Sequence, residues 1–259
     1  MTAQMTTPDT MAINTNNTNV KIAAAQMKLS KYARENVKRI ITFLRNADRQ
    51  RVDIVCFPET CLQPDPTMVA DVSKQIMQIQ NASRKYGVWC IFGAYIREGK
   101  KISNTTFLVD CSGKIRFRYL KVHLWKTEKG LVTPGKGNRI VHSEFGKIAI
   151  ITCWDFAFPS FVQNLSKKGA RIIFCPSFLI DSQNCRDLLR GLPLVRSFEN
   201  LAFFVSCDAF SPKTFSESYI CHPLRILSGI RKKEGMITAT VNLAEIDSLR
   251  RRYNHIKEH

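Results

Sequence analysis

The sequence lacks the features that mark several large classes of protein. No apolar run approaches the roughly 20 residues that a membrane-spanning helix needs, and no charged N-terminal region leads into an apolar block as in a secretory signal. The nine cysteines include no Cys-x-x-Cys pair, and the five histidines have no ligand spacing with each other or with cysteines. We therefore expect a cytoplasmic protein with reduced thiols, no zinc site and no membrane span.

Acidic residues are scarce, since 21 Asp and Glu stand against 39 Lys and Arg and leave a formal net charge of +18. Such a charge is compatible with nucleic acid, with an acidic surface or with an anionic substrate. The basic residues are scattered, however, apart from short clusters at 231–233 and 250–252, and no aromatic platform is interleaved with them. We expect a basic solvated surface and no nucleic-acid partner, with a non-catalytic basic binding protein as the alternative.

Strand-like and helix-like segments alternate along a chain whose apolar content, 44% of 259 residues, is enough for a large core. Residues 1–18 are rich in Thr and Asn and predict a disordered tail, 19–252 predict one folded domain, and 253–259 predict a C-terminal tail. The alternation predicts an α/β fold. Strands are predicted at 20–26, 52–57, 88–94, 105–110, 115–119, 148–152, 171–175, 202–207, 218–222, 224–230 and 236–242. Helices are predicted at 30–50, 69–86, 159–168 and 186–200, and Ser30 is the predicted N-cap of the first. Residues 121–138 are predicted to form a loop.

Cys153 is the strongest candidate for a reactive group. It follows the apolar strand at 147–152 and precedes a helix that Pro159 should open. Backbone N–H groups and a helix dipole in that place favour a thiolate, which is the nucleophilic form of cysteine. A free thiol has a pKa of about 8.5 and needs a base at neutral pH, but no histidine lies in this segment.

Two other segments supply the missing groups. Glu59 follows a strand and a proline, and a carboxylate partly removed from water is a better base. Lys121 can hold a developing oxyanion together with the backbone N–H of Trp154. These groups suit acyl transfer from an amide or a similar C–N group through a thioester. Each residue alone also has an ordinary explanation, because a lone Glu or Lys is usually a surface charge and a lone Cys usually packs in the core.

The three segments resemble the nitrilase superfamily, the carbon–nitrogen hydrolases. The matching residues are Pro58-Glu59, the segment Tyr119-Leu120-Lys121-Val122-His123-Leu124, and Cys153-Trp154-Asp155. Further matches in the same order, from about residue 20 to residue 252, are Asn36, Gly93, Asn104, Thr133-Pro134-Gly135, Phe145-Gly146-Lys147, Phe158-Pro159, Gly169-Ala170, Pro176-Ser177, Arg196 and Glu199-Asn200.

The resemblance implies an αββα four-layer sandwich and roles for particular residues. It implies that Glu59 is the general base and acid, that Lys121 stabilises the tetrahedral intermediate, and that Cys153 is the nucleophile. Glu128 matches a second glutamate that orients the substrate and the lysine, and Asp155 is expected to shape the turn after the nucleophile. The resemblance also implies a homodimer or a higher homo-oligomer, and no metal or organic cofactor.

The chain departs from the common family pattern at several positions around the expected pocket and pairing surface. Ala157 and Ser160 replace a frequent Arg and Glu, and Asp208 stands where Asn is frequent. The segments 216–218 and 223–225 differ as well. These departures leave the three candidate catalytic residues in place but bear on the substrate class.

The reaction expected from the resemblance is cleavage of a non-peptide amide or N-carbamoyl group of a small molecule, with release of ammonia. Nitrile hydrolysis and acyl transfer on the same residues are the alternatives, and a cysteine protease is disfavoured because no motif places a Cys–His pair. Carboxylate-bearing substrates would be favoured if the cations near the expected pocket loops, Lys126, Arg186 and Arg190, line the pocket.

Overall fold

The computed structural model describes residues 19–180 and 185–253 of the chain. The predicted disordered tail, 1–18, and residues 254–259 lie outside the described residues. The described strands are β1 (Asn19–Gln26), β2 (Ile54–Cys56), β3 (Trp89–Glu98), β4 (Lys101–Val109), β5 (Ile115–Leu120), β6 (Val141–Ser143), β7 (Gly146–Ile150), β8 (Ile172–Pro176), β9 (Phe203–Cys207), β10 (Glu217–His222), β11 (Arg225–Arg231) and β12 (Gly235–Asn242). The described helices are α1 (Ala33–Arg49), α2 (Ser73–Tyr86), α3 (Pro159–Lys167), α4 (Arg186–Asn200) and α5 (Leu243–Tyr253), with a short 3₁₀ helix at Cys153–Ala157.

The strands form two six-stranded sheets of similar design. One has the order β12-β1-β2-β3-β4-β5, and the other has the order β11-β10-β9-β8-β7-β6. Three neighbouring strands at the centre of each sheet are parallel, β1–β2–β3 in one and β7–β8–β9 in the other, and antiparallel strands flank them. The parallel centres follow from the α/β alternation, because a helical crossover must return the chain before the next parallel strand.

Alternation along the strands builds the layers, because successive side chains of a strand point to opposite faces. In β1, Ile22 and Ala24 pack in the core between the sheets, while Ala23 and Ala25 pack against the side that α1 and α2 cover. The second sheet does the same with α3 and α4 on its outer face. The result is the αββα sandwich that the resemblance implied, and this prediction is confirmed.

Helix α1 shows how sequence pattern becomes packing. Its buried apolar side chains recur at helical spacing and form one stripe against the sheet; they are Val37, Ile40, Leu44 and Ala47. The predicted cap is wrong, since the helix begins at Ala33 with Tyr32 in the N-cap position. Ser30 lies two residues before Tyr32, where its hydroxyl donates to the Glu35 carboxylate and accepts from the Tyr32 N–H.

Helix α5 was not predicted. It contains the basic run at 250–252 and ends at Tyr253. Leu243 and Ile246 are buried in the core between the sheets. Arg250 donates to the carbonyl oxygens of Ala170 at 2.6 Å and Leu201 at 3.1 Å, so its charge ties α5 to the ends of neighbouring elements.

The remaining differences between the predicted and the observed elements are at element ends and in one additional strand. The strand predicted at 105–110 begins earlier, because β3 and β4 form a tight hairpin through Glu98 and Lys101. Strand β6 was not predicted.

Across 19–180 and 185–253, no helix has the length and apolar character needed to cross a membrane. All nine cysteines are free thiols.

Candidate active site

The candidate residues meet where strands of both sheets end. Glu59 comes three residues after β2, Lys121 follows β5 directly, and Cys153 comes three residues after β7. The backbone of Lys121 is held on both sides, since its N–H donates to the Asn104 carbonyl at 2.9 Å and its carbonyl accepts from Gly135 N at 2.8 Å. The sheets therefore bring together residues that are far apart in the chain.

A buried ion cluster forms the centre of the site. The Lys121 ammonium lies 2.8 Å from Glu59 Oε1 and 2.6 Å from Glu128 Oε2, and Lys121 is only 2% exposed. The Asn104 side-chain amide donates to Glu59 Oε1 at 2.7 Å and to Glu128 Oε1 at 2.8 Å. Tyr95 adds a hydroxyl bond to Glu128 Oε1 at 3.1 Å. One ammonium and one amide thus hold two carboxylates in fixed positions.

Burial and neighbouring charges shift the pKa values of the three ionisable groups in different directions. Burial raises the pKa of Glu59, Lys121 opposes that rise and Glu128 adds to it. For Glu128, burial is the largest single influence and raises the pKa. The charge of Lys121 and the hydrogen bonds from Lys121, Asn104 and Trp125 N together outweigh burial, and the pKa lies below the ordinary range. Burial would lower the pKa of Lys121, but Glu59, Cys153 and Glu128 together raise it well above its usual value. Lys121 is therefore a permanent cation, and Glu59 is the carboxylate more readily protonated.

Cys153 lies on a strained turn. It begins the 3₁₀ helix with φ +48°, a left-handed conformation that non-glycine residues rarely adopt. Asp155 stabilises this turn, because its Oδ2 accepts from Thr152 N at 2.9 Å and from the Tyr119 hydroxyl at 2.6 Å. Its Oδ1 accepts from His123 N at 2.8 Å. Asp155 therefore joins the Cys153 turn to the segment that carries Lys121, and it shapes the turn as the resemblance implied.

The Cys153 thiol is buried, with 6% of the residue exposed, and its Sγ lies 3.9 Å from the Phe178 carbonyl oxygen. Burial raises its pKa well above the usual value, Glu59 raises it further and Lys121 opposes the rise. The expectation that the position alone favours a thiolate is wrong, because α3 begins only at Pro159 and burial dominates. A thiol in this environment needs a nearby base, and Glu59 is the carboxylate whose charge acts on the Cys153 thiol.

The loop after β8 connects this thiol to the carboxylate. Phe178 N donates to Glu59 Oε2 at 3.0 Å, while the Phe178 carbonyl faces the Cys153 sulfur. The next residue, Leu179, donates its N–H to Asp208 Oδ1 at 2.9 Å. Asp208 is fully buried and also accepts from Ser216 N at 2.7 Å. Asp208 thus fixes the loop that places the Phe178 peptide between Glu59 and Cys153.

A cavity of about 480 Å³ opens onto the cluster. Its lining includes Glu59, Lys121, Glu128, Cys153 and Trp154. Its other walls are mainly apolar and come from the segments around Pro64, Trp125, Leu131 and Leu179, and from α4 through Leu189.

The arginines considered at the sequence level lie outside this lining. Arg190 donates to Glu217 from Nε at 3.1 Å and from Nη2 at 2.9 Å, and Arg186 lies 3.9 Å from the same carboxylate. Of the three cations considered, only Lys126 lines the cavity.

The structure brings together all of Glu59, Lys121, Glu128, Cys153 and Trp154. Sequence reasoning missed the roles of Asn104, Tyr95 and Asp208, although Asn104 and Asp208 had been noted as matching or departing from the family pattern. A polar residue inside an apolar strand was the available signal, since buried polar groups require partners. Within the described ranges, no group of three or more His, Cys, Asp or Glu residues could hold a metal ion.

The two sheets and the helices that cover them form an αββα sandwich. A carboxylate, an ammonium and a thiol meet at the strand ends and form its buried polar centre. The family model described as carbon–nitrogen hydrolase matches residues 21–251. The chain belongs to this family, and the resemblance to the nitrilase superfamily is confirmed.

Curated relatives and a solved structure agree with that assignment. The chain is 24% identical over 230 residues to 2-oxoglutaramate amidase of Bacillus subtilis, which covers 83% of this chain and 88% of that protein. It is 26% identical over 248 residues to a nitrilase of Pyrococcus abyssi, which covers 88% and 90%. The crystal structure of a carbon–nitrogen hydrolase from Helicobacter pylori superimposes with a TM-score of 0.85 at 17% identity, covering 93% of this chain and 95% of that one, and shows the likeness of the fold.

Proposed function

We propose that the protein is a cysteine-dependent hydrolase that cleaves a small non-peptide amide or N-carbamoyl group through a thioester and releases ammonia. The observation that supports it best is the buried Glu59–Lys121–Glu128 cluster beside Cys153 at the end of an apolar cavity. Burying two carboxylates and an ammonium is costly for stability, and a cluster of this kind in a cleft is typical of a reactive site.

The first half of the reaction makes the thioester. Glu59 takes the proton of Cys153, and the thiolate forms a bond to the carbonyl carbon of the amide. Lys121 and the backbone N–H of Trp154 hold the oxygen that becomes negative. Glu59 then returns the proton to the departing nitrogen, the C–N bond breaks, and ammonia leaves.

The second half restores the enzyme. Glu59 takes a proton from water, and the resulting hydroxide attacks the thioester carbon at the same oxyanion site. The C–S bond breaks, the carboxylic acid leaves, and the proton held by Glu59 returns to the Cys153 sulfur. The raised pKa of Glu59 suits a group that accepts and donates a proton in each cycle.

In this proposal Glu128 orients the lysine, and through it the substrate. Its Oε2 binds Lys121 and also accepts from Trp125 N at 2.9 Å, so it links the ammonium to a wall of the cavity. Two carboxylates on one ammonium keep that cation charged and pointed at the oxyanion position.

The test is ammonia release from aliphatic amides, amides with a distal carboxylate, N-carbamoyl amines and nitriles, together with mass spectrometry of acid-quenched protein. We expect turnover of amides or carbamoyl compounds, and an acyl group on Cys153. Cys153→Ala should abolish both, whereas Cys111→Ala, a half-buried thiol outside the cavity lining, should change neither. Full turnover by Cys153→Ala would contradict the proposal, and turnover confined to nitriles would favour the alternative that the Pyrococcus relative suggests.

We also propose that the protein forms a homodimer or a higher homo-oligomer. Helix α4 exposes three large apolar side chains, Leu188, Val195 and Phe198, which would be covered in a pair. Light scattering should give at least twice the chain mass, and Val195→Glu should lower it, while Met77→Glu, at a somewhat more exposed site on α2, should not. A monomeric wild-type protein would refute this.

A further inference from the structure

The cavity has a charge balance opposite to that of the whole protein. Among the described residues that line it, three are acidic and two are basic: Glu59, Asp65 and Glu128 against Lys121 and Lys126. Lys121 is already held by both glutamates at 2.8 and 2.6 Å. Lys126 is exposed at the cavity mouth. In a chain of net charge +18, the described lining of the candidate site therefore carries no excess of positive charge.

The two arginines next to the cavity wall pair with a carboxylate outside the cavity lining. Arg186 and Arg190 lie on α4 next to the cavity wall, but the buried carboxylate of Glu217 binds both of them. The four residues that join Ile180 to Cys185 are Asp, Ser, Gln and Asn, so they add no cation of their own. A substrate carboxylate inside this cavity would lose water and meet Lys121, which both glutamates already hold, while Lys126 stays in contact with solvent at the mouth; its burial is therefore unfavourable.

The walls offer apolar contact instead. The rings of Trp125 and Trp154 meet edge to face with centroids 4.6 Å apart, and the lining also includes Leu131, Phe178, Leu179 and Leu189. A cavity of roughly 150 Å³ accommodates a benzene ring, so a cavity of about 480 Å³ has room for a reacting amide together with a phenyl ring or a chain of several methylene groups.

We propose that the natural substrate of this site is a primary amide, or its N-carbamoyl counterpart, whose non-reacting part is apolar and uncharged: a medium-length alkyl or arylalkyl group. The inference rests on the proposed function for the reacting end and on the cavity walls for the rest. It assigns specificity to the Trp125, Leu131, Trp154 and Leu189 walls and excludes substrates that carry a distal carboxylate.

The test uses three amides of equal chain length. Hexanamide ends in a methyl group, adipamate has a carboxylate in place of that methyl group, and 6-aminohexanamide carries an ammonium on the same carbon. Their dissociation constants are measured by calorimetry on Cys153→Ala, which has no nucleophile, and their kcat/KM values on the wild-type protein. We expect hexanamide to be preferred over both charged amides by about tenfold or more, from apolar burial of its terminus and from the unpaired charge of the others.

Preference for adipamate or for 6-aminohexanamide in the binding assay would overturn the inference, as would the absence of binding by all three amides. If Cys153→Ala prefers hexanamide while the wild-type protein neither releases ammonia nor forms acyl-Cys153, the proposed reaction fails and the inference about the cavity stands. The two failures are therefore distinguishable.

A substitution at the cavity wall provides a second check. Leu131 is 49% exposed at the rim, so a polar residue there should not disturb folding. Leu131→Lys should raise the kcat/KM for adipamate relative to hexanamide several-fold, because it adds a second cation to Lys126 at the rim, and Leu131→Gln, of similar length but neutral, should not. An unchanged ratio in Leu131→Lys would show that the charge of the cavity does not set specificity.

Discussion

Gly93 should control the position of Glu59, although it lies in β3 and has no side chain to react. A Cβ added at this position would lie 2.6 Å from Thr60 N, 3.3 Å from Thr60 Cα and 3.5 Å from the Glu59 carbonyl carbon. These are backbone atoms, so no side-chain rotation can relieve the clash. The Gly93 carbonyl also accepts from Leu62 N at 2.9 Å, which holds the same segment against β3.

The size of the effect follows from these distances. Non-bonded atoms of this kind prefer separations of about 3.5 Å or more, so the segment that carries Glu59 must move by about 1 Å in Gly93→Ala. A displacement of that size at a reacting group can reduce the rate by about 100-fold. Overpacking of this kind costs about 1–3 kcal/mol of stability, which corresponds to roughly 2–12 °C in Tm for a protein of about this size.

The assay compares kcat/KM for the best amide, Tm by calorimetry, and the rate of Cys153 alkylation by iodoacetamide. Gly191→Ala is the matched control, since its Cβ would meet nothing within 4 Å and it lies inside α4. That variant should keep its activity and gain up to about 1 kcal/mol from helix propensity. If Gly93→Ala loses stability but keeps kcat/KM within about twofold of wild type, the claim that Glu59 must stand at this distance from Lys121 and Cys153 is wrong.

Three further predictions concern the ion cluster and the C-terminal helix. Asn104→Asp places a third carboxylate within hydrogen-bond distance of Glu59 and Glu128. Repulsion among the three carboxylates should lower Tm and reduce kcat/KM by about 100-fold or more at neutral pH. Wild-type kinetics in this variant would contradict the role of the amide. Because Glu59 acts as a base only when ionised and its pKa is raised from the ordinary value of 4.5, kcat/KM should fall on acidification with a midpoint above that value; an acid limb at or below it would oppose the assignment. Arg250→Ala should lower the free energy of unfolding by about 1–3 kcal/mol, measured by denaturant titration, and leave kcat/KM unchanged. Arg251→Ala should change neither, because among the described residues the guanidinium of Arg251 bonds only Ser248 of the same helix.

Local patterns in the sequence determined most of the secondary structure. Helix α4 has the predicted bounds, and Pro159 begins α3 as expected. Two-residue alternation and helical spacing depend only on near neighbours, so they can be recognised without knowing the fold. The same holds for the segments around Glu59, Lys121 and Cys153, whose resemblance to the carbon–nitrogen hydrolases also predicted the sandwich.

Packing decided what local pattern could not. The segment of α5 has Leu243 and Ile246 at helical spacing, but its basic run is equally compatible with a solvated tail, and only the core between the sheets buries those two side chains. The pKa of Cys153 is a similar case. Position at the end of a strand favours a thiolate, whereas burial beside Glu59 raises the pKa, and burial is a property of the whole fold.

The sequence by itself therefore determined the fold class, the candidate groups and the family. Only the tertiary structure decided that Asn104 joins Glu59 to Glu128 and that Asp208 holds the Phe178 peptide between Glu59 and Cys153. It also decided that Arg186 and Arg190 bind Glu217 and do not line the cavity. The physical reason is distance along the chain. Residues 45 apart, as Asn104 and Glu59 are, meet only through sheet register and sheet packing, which no local pattern encodes.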